Sequence, residues 1–447
     1  MKETKGYGRI YRITPKGKKL VAPKINYSTV VGCVDALKNP AVNVRFDAFT
    51  KLIAWGDESI SPVGNLLYDS SPYVQARAIW VLSNLGPKGL SKLDEVKAHP
   101  NAQVRITAVR ALAQQLDESS FLQEVKGWKS DPSLSVKRVL LTSMKDIKSP
   151  EKVSSIIELA QYYDGEDRWY LEALGMAAEG FEDEVWKGIE LTYEPVTTWD
   201  RRYEGLAWRF HPNNLVKDFE QRANDESLDI DKRKRSIVAL AFINTSDAVD
   251  AMERLTKSSL IDVTRHANYW MGFRKTNTWF NLRDWADVNQ NKSNVLEILR
   301  NGNTKYDVEA IAKLSGKVDQ GKVLFDTYCV TCHSVGNEGR DIGPNLSWIK
   351  NKYDKVDLLA SIIDPDLGIQ FGFEPWEITT NQDNKIFGFL LSDGETVVIK
   401  DIAGRKFTFN KEHIKSKVQL EKSVMPDAGS LGLDEEQLAD IAAFLMK

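Results

Sequence analysis

Four prolines stand at related places early in the chain: Asn39-Pro40, Ser71-Pro72, His99-Pro100 and Asp131-Pro132, separated by 32, 28 and 32 residues. After each proline an apolar residue follows four positions on (Val44, Ala76, Val104, Val136) and a basic residue five on (Arg45, Arg77, Arg105, Lys137). Such a period constrains the fold strongly, because units of about 30 residues that cannot bury an apolar face alone must stack on their neighbours. Proline suits the first position of a helix, and Asn, Ser and Asp cap well just before it, so three of the four dipeptides read as helix starts. Over residues 74–82 apolar positions recur at steps of three and four, as a stacked helix requires. An α-solenoid of paired helices is the expectation.

Looser copies of the pattern occur at residues 231–240 and 262–270, which extends the helical array over residues 25–312. The repeat resembles short HEAT-type repeats. The basic run Lys232–Arg235 within it is expected to be a solvated helix face. A Gly/Lys/Asp-rich stretch around Ser315-Gly316 then marks a boundary, and residues 313–447 form a separate region. Inside that region β-rich runs at 376–380, 385–391, 395–400 and 406–409 alternate with turn pairs Asp383-Asn384, Asp393-Gly394 and Ala403-Gly404. They predict a small β-meander inserted at about 374–412. The spacing predicts a last helix over 433–445, opened by a capping box between Asp434 and Gln437. The fold class expected is mainly α, a solenoid followed by a smaller domain with a β insertion.

Composition narrows the function. The chain has 447 residues, 42% apolar and 28% charged, with a formal net charge of −3, so it is a folded protein without the basic field that nucleic acid requires. No apolar run reaches the roughly 18 residues of a membrane span, and residues 1–24 are too polar for a signal peptide. Three cysteines are too few for a disulfide framework, so their placement decides their role.

Two of them fall in Cys329-Val330-Thr331-Cys332-His333, the C-x-x-C-H sequence of covalent c-type haem attachment. Thiols three apart project from the same side of one helical turn, where they reach two vinyl groups on a haem edge, and the adjacent His333 is delivered to the iron. A zinc ribbon would need a second pair, yet Cys33 lies about 300 residues upstream; a thioredoxin-like dithiol would need a βαβ context that does not precede Cys329. Cys33 reads as a packing residue. Downstream candidates for the sixth iron position are His413, Met425 and Met446. Met425 is favoured, because it sits in an irregular Ser423-Val424-Met425-Pro426 segment, whereas His413 lies among charged residues and Met446 ends the last helix.

With Gly321 and Phe325 before the motif, Gly343-Pro344-Asn345-Leu346 after it, Met425-Pro426 and a closing helix, residues 317–447 resemble a class I cytochrome c. The resemblance implies that the Pro344 carbonyl accepts the hydrogen bond of the haem histidine. It also implies that the first and last helices cross, with Phe325 near Leu438 and Ile441. His333 and Met425 are 92 residues apart, longer than the compact family pattern, and the extra length corresponds to the β-rich runs. The arrangement resembles the C-terminal part of large secreted bacterial dehydrogenase-like proteins of the planctomycete and verrucomicrobial type, in which a β-propeller precedes HEAT repeats and a cytochrome. Residues 163–173 look like a characteristic stretch of that helical part, and residues 8–13 like the closing strand of the propeller.

That resemblance implies one covalent haem c, an upstream dehydrogenase or propeller domain as electron donor and a downstream electron carrier. It also implies a periplasmic or secreted location. Residues 1–24 are then a remnant of the propeller or a linker, and the chain a C-terminal portion of a longer protein. Electron transfer without an enzymatic site in this chain is the leading expectation. A HEAT-repeat interaction scaffold, with the haem in an accessory role and the Trp-rich section between Trp169 and Trp285 as a binding surface, is the alternative.

Overall fold

The helices of the array begin at a recurring turn. In a computed structural model that describes residues 17, 21, 23–189, 195–275, 278–283, 285, 306–370, 372–394, 396–420 and 422–447, four side chains each accept a hydrogen bond from the backbone N–H two residues on. They are Asn39 from Ala41 (2.9 Å), Asp69 from Ser71 (3.0 Å), His99 from Asn101 (3.1 Å) and Asp131 from Ser133 (2.8 Å). Six residues after each, a long polar side chain turns back to the carbonyl of the turn residue: Arg45 (3.0 Å), Gln75 (2.7 Å), Arg105 (2.6 Å) and Lys137. Each return bond satisfies the carbonyl of a turn residue that lies ahead of the helix and has no donor within it. Ser258 repeats the device, accepting from the Leu260 N–H at 3.3 Å while Thr264 Oγ1 donates to its carbonyl at 2.7 Å.

The true register is therefore 39, 69, 99 and 131, and it corrects the reading anchored on proline. Helices start at Val42, Pro72, Ala102 and Leu134, so only Pro72 occupies a first helical position. The other three prolines lie two residues ahead of the helix, inside the turn. In the second unit Gln75, not Arg77, takes the place of the basic residue.

The chain divides into two compact units, up to Phe121 and from Leu122. In the first, α1 (Val30–Leu37), α2 (Val42–Trp55), α3 (Ile60–Gly64), α4 (Pro72–Ser83), α5 (Gly86–Lys92) and α6 (Ala102–Gln115) form two rows, α2–α4–α6 and α1–α3–α5. After α7 (Glu118–Trp128), the second unit opens with α8 (Leu134–Ser143), α9 (Lys152–Ala160), α10 (Arg168–Ala178), α11 (Glu182–Ile189), α12 (Arg201–Phe210), α13 (Val216–Asn224), α14 (Ile230–Ala241), α15 (Ser246–Leu255) and α16 (Ile261–Lys275). Here α8, α10, α12, α14 and α16 pack each on the next, while α9 meets α11 and α13 meets α15. Cys33 is fully buried in α1, and Trp186, Trp199 and Trp279 are buried too, so these tryptophans build core and offer no surface. Residues 8–13, read as a propeller strand, and 286–305 of the expected array lie outside the described residues.

The same unit contains the cysteine-bearing region, built from α17 (Val308–Lys313), α18 (Val318–Tyr328), α19 (Lys355–Ile363) and α20 (Glu435–Leu445) around one core. Asp434 and Gln437 form the reciprocal cap of α20, with bonds of 2.8 and 3.0 Å. Leu438, Ile441 and Ala442 on one face of α20 are buried with Phe325 of α18, and burying each large side chain contributes about 1.5–3 kcal/mol. The two helices cross closely. A Cβ on Gly321 would lie 1.9 Å from the Asp440 carbonyl oxygen, and the Phe325 and Phe444 rings stand 5.4 Å apart.

Two short strands, β1 (Ser334–Val335) and β2 (Glu338–Gly339), follow the cysteine motif. A larger antiparallel sheet has β3 (Pro375–Thr380), β4 (Lys385–Ser392), β5 (Thr396–Asp401), β6 (Lys406–Asn410) and β7 (Ile414–Gln419) in the order β6-β5-β4-β3-β7. The expected meander accounts for β3 to β6. The fifth strand, β7, runs past residue 412 and pairs with β3 from Trp376↔Gln419 to Thr380↔Ile414. It is an edge strand with Lys415 and Lys417, and such lysines keep an edge from pairing with another chain while diluting its apolar signal.

This region packs on the helical array. Arg265 of α16 pairs with Asp364 at 2.6 Å, Phe273 and Tyr353 rings lie 6.2 Å apart, and a Cβ on Gly368 would fall 2.0 Å from the Tyr269 hydroxyl. On the sheet side Arg138 of α8 donates to the Asp393 carbonyl at 3.3 Å. Asp393 is almost fully buried and also pairs with Lys417, so it is more than a turn residue.

Candidate haem-binding site

Helix α18 ends by handing its last carbonyls to the motif. The Phe325 carbonyl accepts from the N–H groups of Cys329 (2.8 Å) and Val330 (2.9 Å), and the Cys329 carbonyl accepts from Cys332 (3.1 Å) and His333 (2.9 Å). The pentapeptide is thus one further helix-like turn, with two thiols three residues apart. Cys329 is half-buried against the core of the domain, Cys332 is exposed, and neither is in a disulfide. Burial pushes the Cys329 thiol up to about 11, with the neighbouring Cys332 adding to the shift, so the Cys329 thiol is protonated at neutral pH when no partner is bound.

His333 is held by the segment that follows. Its Nδ1 lies 2.8 Å from the Pro344 carbonyl oxygen. A carbonyl only accepts, so Nδ1 carries the proton and Nε2 keeps a lone pair, the tautomer required of a metal ligand. Burial holds the imidazole below its ordinary value, which also favours the neutral ring. Gly343 lies flat against it: a Cβ there would stand 2.9 Å from His333 Cε1 and 3.1 Å from Nδ1. The N–H groups of Ile342 (3.1 Å) and Gly343 (2.7 Å) both donate to the Cys332 carbonyl, closing a ring of backbone bonds around the histidine. On the other flank Gly339, at φ +100°, leaves a Cβ only 2.1 Å from the His333 carbonyl oxygen, so a side chain is excluded on two counts.

Met425 belongs to an irregular segment between β7 and α20. Its N–H donates to Ser423 Oγ at 3.1 Å, and the Ser423 N–H donates to Asp366 Oδ1 at 2.7 Å. The side chain is half-buried against the same core as Cys329 and lines a cleft of about 500 Å³ with Ile363, Pro365 and Tyr306. Met446 is also half-buried against this core, at the end of α20, whereas His413 is exposed in a turn between β6 and β7. The residues singled out by the motif therefore gather on one small domain. Those that a motif search passes over are Gly343, which sets the ring's flat contact, and Ser423 with Asp366, which hold the Met425 segment.

This donor set suits a covalently attached haem: two unbridged thiols, an imidazole whose Nε2 keeps the lone pair, and a thioether on the same core. The cytochrome c family model matches residues 318–392. Over these residues the chain is similar to a cytochrome c domain. The match takes in α18, the cysteine motif and Pro344 and stops in β4, so Met425 and α20 lie beyond it. That similarity implies covalently bound haem c and supports haem-based electron transfer. No curated protein matches the chain. Among the described residues no helix is long and apolar enough to cross a membrane.

Proposed function

We propose that the chain is an electron-transfer module carrying one haem c, attached through Cys329 and Cys332 and ligated by His333 and Met425. The observation that carries this reading is the hydrogen bond from His333 Nδ1 to the Pro344 carbonyl within a C-x-x-C-H turn. When bound, the haem supplies a one-electron Fe(III)/Fe(II) couple. The protein's part is to hold it. Pro344 and Gly343 fix the imidazole plane, the Ser423–Asp366 pair fixes the Met425 segment, and the domain core packs against Cys329 and Met425.

A thioether is a soft ligand and favours the ferrous state, which raises the reduction potential. With His333 and Met425 both holding it, the haem would relay single electrons, and the oxidising site would belong to the donor. The donor is a dehydrogenase, in the manner of the propeller-bearing proteins that the sequence resembles, and the acceptor is a downstream carrier. The helical array is a HEAT-type scaffold that presents the cytochrome, in a periplasmic or secreted setting, and its packing against the domain through Arg265–Asp364 and Arg138–Asp393 supports that role.

The test is a spectroelectrochemical titration of protein matured in cells equipped for c-type haem. A single reversible one-electron wave is expected, and Met425→Ala lowers its potential and gives a high-spin ferric spectrum. An unchanged potential and spin state in Met425→Ala would remove Met425 from the ligand set. The scaffold reading in its stronger form draws on Val42 and Phe46, exposed one turn apart on α2. If that surface holds a partner, Phe46→Lys abolishes partner binding and leaves the titration unchanged.

A further inference from the structure

The β-sheet reaches the loop that holds the histidine. Lys400 on β5 is 9% exposed, and its Nζ donates to the backbone carbonyl of Asp341 at 2.5 Å. The adjoining β5–β6 turn, shaped by Asp401 accepting from the Ala403 and Arg405 N–H groups, brings Gly404 so close that a Cβ there would stand 3.1 Å from Ile342 Cδ1. Ile342 is itself buried. The three residues that follow Asp341 are the ones that surround the ring: Ile342 and Gly343 bond to the Cys332 carbonyl, and Pro344 accepts from His333 Nδ1.

A buried ammonium costs free energy unless its protons are used, and a backbone carbonyl is a fixed, neutral acceptor that takes one of them. A charge-assisted bond of this kind is about twice as strong as a neutral one. It clamps the loop at one end while the Cys332 carbonyl clamps it in the middle.

We propose that Lys400 is a positioning residue for the haem histidine: by anchoring the Asp341 carbonyl it fixes the loop so that the Pro344 oxygen stays on His333 Nδ1. The inserted sheet thereby becomes part of the haem site. This rests on His333 as the iron ligand. The strength of the Nδ1–H···O bond sets how much electron density the imidazole gives to iron, so Lys400 acts on the reduction potential through the ring.

Hydrogen exchange tests this in the full chain, with and without attached haem. In Lys400→Met, amide exchange across residues 340–343 and exchange of the His333 Nδ1 proton become about tenfold faster, as loss of one such bond predicts, while exchange in α20 is unchanged. Lys400→Arg, which keeps the charge and a donor, restores the slow rates. With haem attached, the potential of Lys400→Met moves and that of Lys400→Arg stays at the wild-type value. Wild-type exchange in Lys400→Met, or equally fast exchange in both variants, would overturn the proposal. Should Lys400→Met not fold, Lys400→Gln takes its place, retaining a shorter donor and losing the charge. Exchange in the haem-free chain reports on Lys400 alone, so failure to take up haem counts against the functional reading and not against this one.

Discussion

His333 shows how little room a haem site leaves at the level of single residues. Its ring is fixed on one edge by Pro344 and on one face by Gly343, so Gly343→Ala must displace either the ring or the loop. The variant is expected to lower the yield of haem-bearing protein and weaken the His333–Pro344 bond, seen as faster exchange of the ring proton by NMR; wild-type yield and exchange would show that the contact has slack. Cysteines and histidine were legible because their spacing is the chemistry. Pro344 entered only through resemblance, and Gly343 carried no assigned role, because a glycine's importance lies in the side chain it lacks. Lys400 was unreadable for a different reason: 59 residues separate it from Asp341, and nothing local in a β-strand lysine says which carbonyl it will meet.

At the scale of elements, the repeat was visible and its anchor was misplaced. Proline marks the repeat only loosely, because the recurring device is a turn whose first residue accepts from two positions on and whose seventh residue bonds back. Pro72 lies one residue beyond Ser71, whose N–H donates the turn bond, whereas the other three prolines lie one residue ahead of the donor, so an alignment on proline displaces that unit by two. Arg105 gives the sharpest test, since its guanidinium donates to both His99 and Pro100 carbonyls, at 2.6 and 3.2 Å. Arg105→Met is expected to cost about 1.5–3 kcal/mol in urea unfolding, as a charged hydrogen bond to a buried acceptor does. An effect below about 0.5 kcal/mol, typical of a plain surface substitution, would argue against the device. The α18–α20 crossing is a second element-level test. Gly321→Ala places a methyl against the Asp440 carbonyl and is expected to destabilise by about 1–3 kcal/mol. Strand β7 escaped the sequence because it is a lysine-bearing edge, and the pairing that defines it comes from β3.

For the whole molecule, acid is the informative stress. Burial holds His211 and His266 down at about 4, and the Trp270 indole N–H donates to His266 Nε2 at 3.3 Å, which requires that nitrogen unprotonated. Both folded values lie below the unfolded value near 6.5, so the stabilisation is complete above about pH 6.5 and is lost as the pH falls toward 4, by up to about 3 kcal/mol for each histidine. The melting temperature should therefore drop steeply over that window, and His266→Gln should flatten the profile; an identical slope in the variant would contradict the assignment. The helical array and the cytochrome domain are also coupled through a contact that neither sequence region announces, the approach of Gly368 to Tyr269. Gly368→Leu should open that contact and speed amide exchange in α16 and α19 together. The overall order of helical array, cysteine motif and β insertion could be read from periodicity and spacing, whereas the packing between these parts depends on residues 99 to 255 positions apart. The central claim is that this chain carries a covalent haem. Denaturing mass spectrometry of protein matured in haem-competent cells tests it most directly. A mass higher by one haem, lost in Cys329→Ala with Cys332→Ala, is expected; a folded wild-type chain at its unmodified mass would rule covalent haem out.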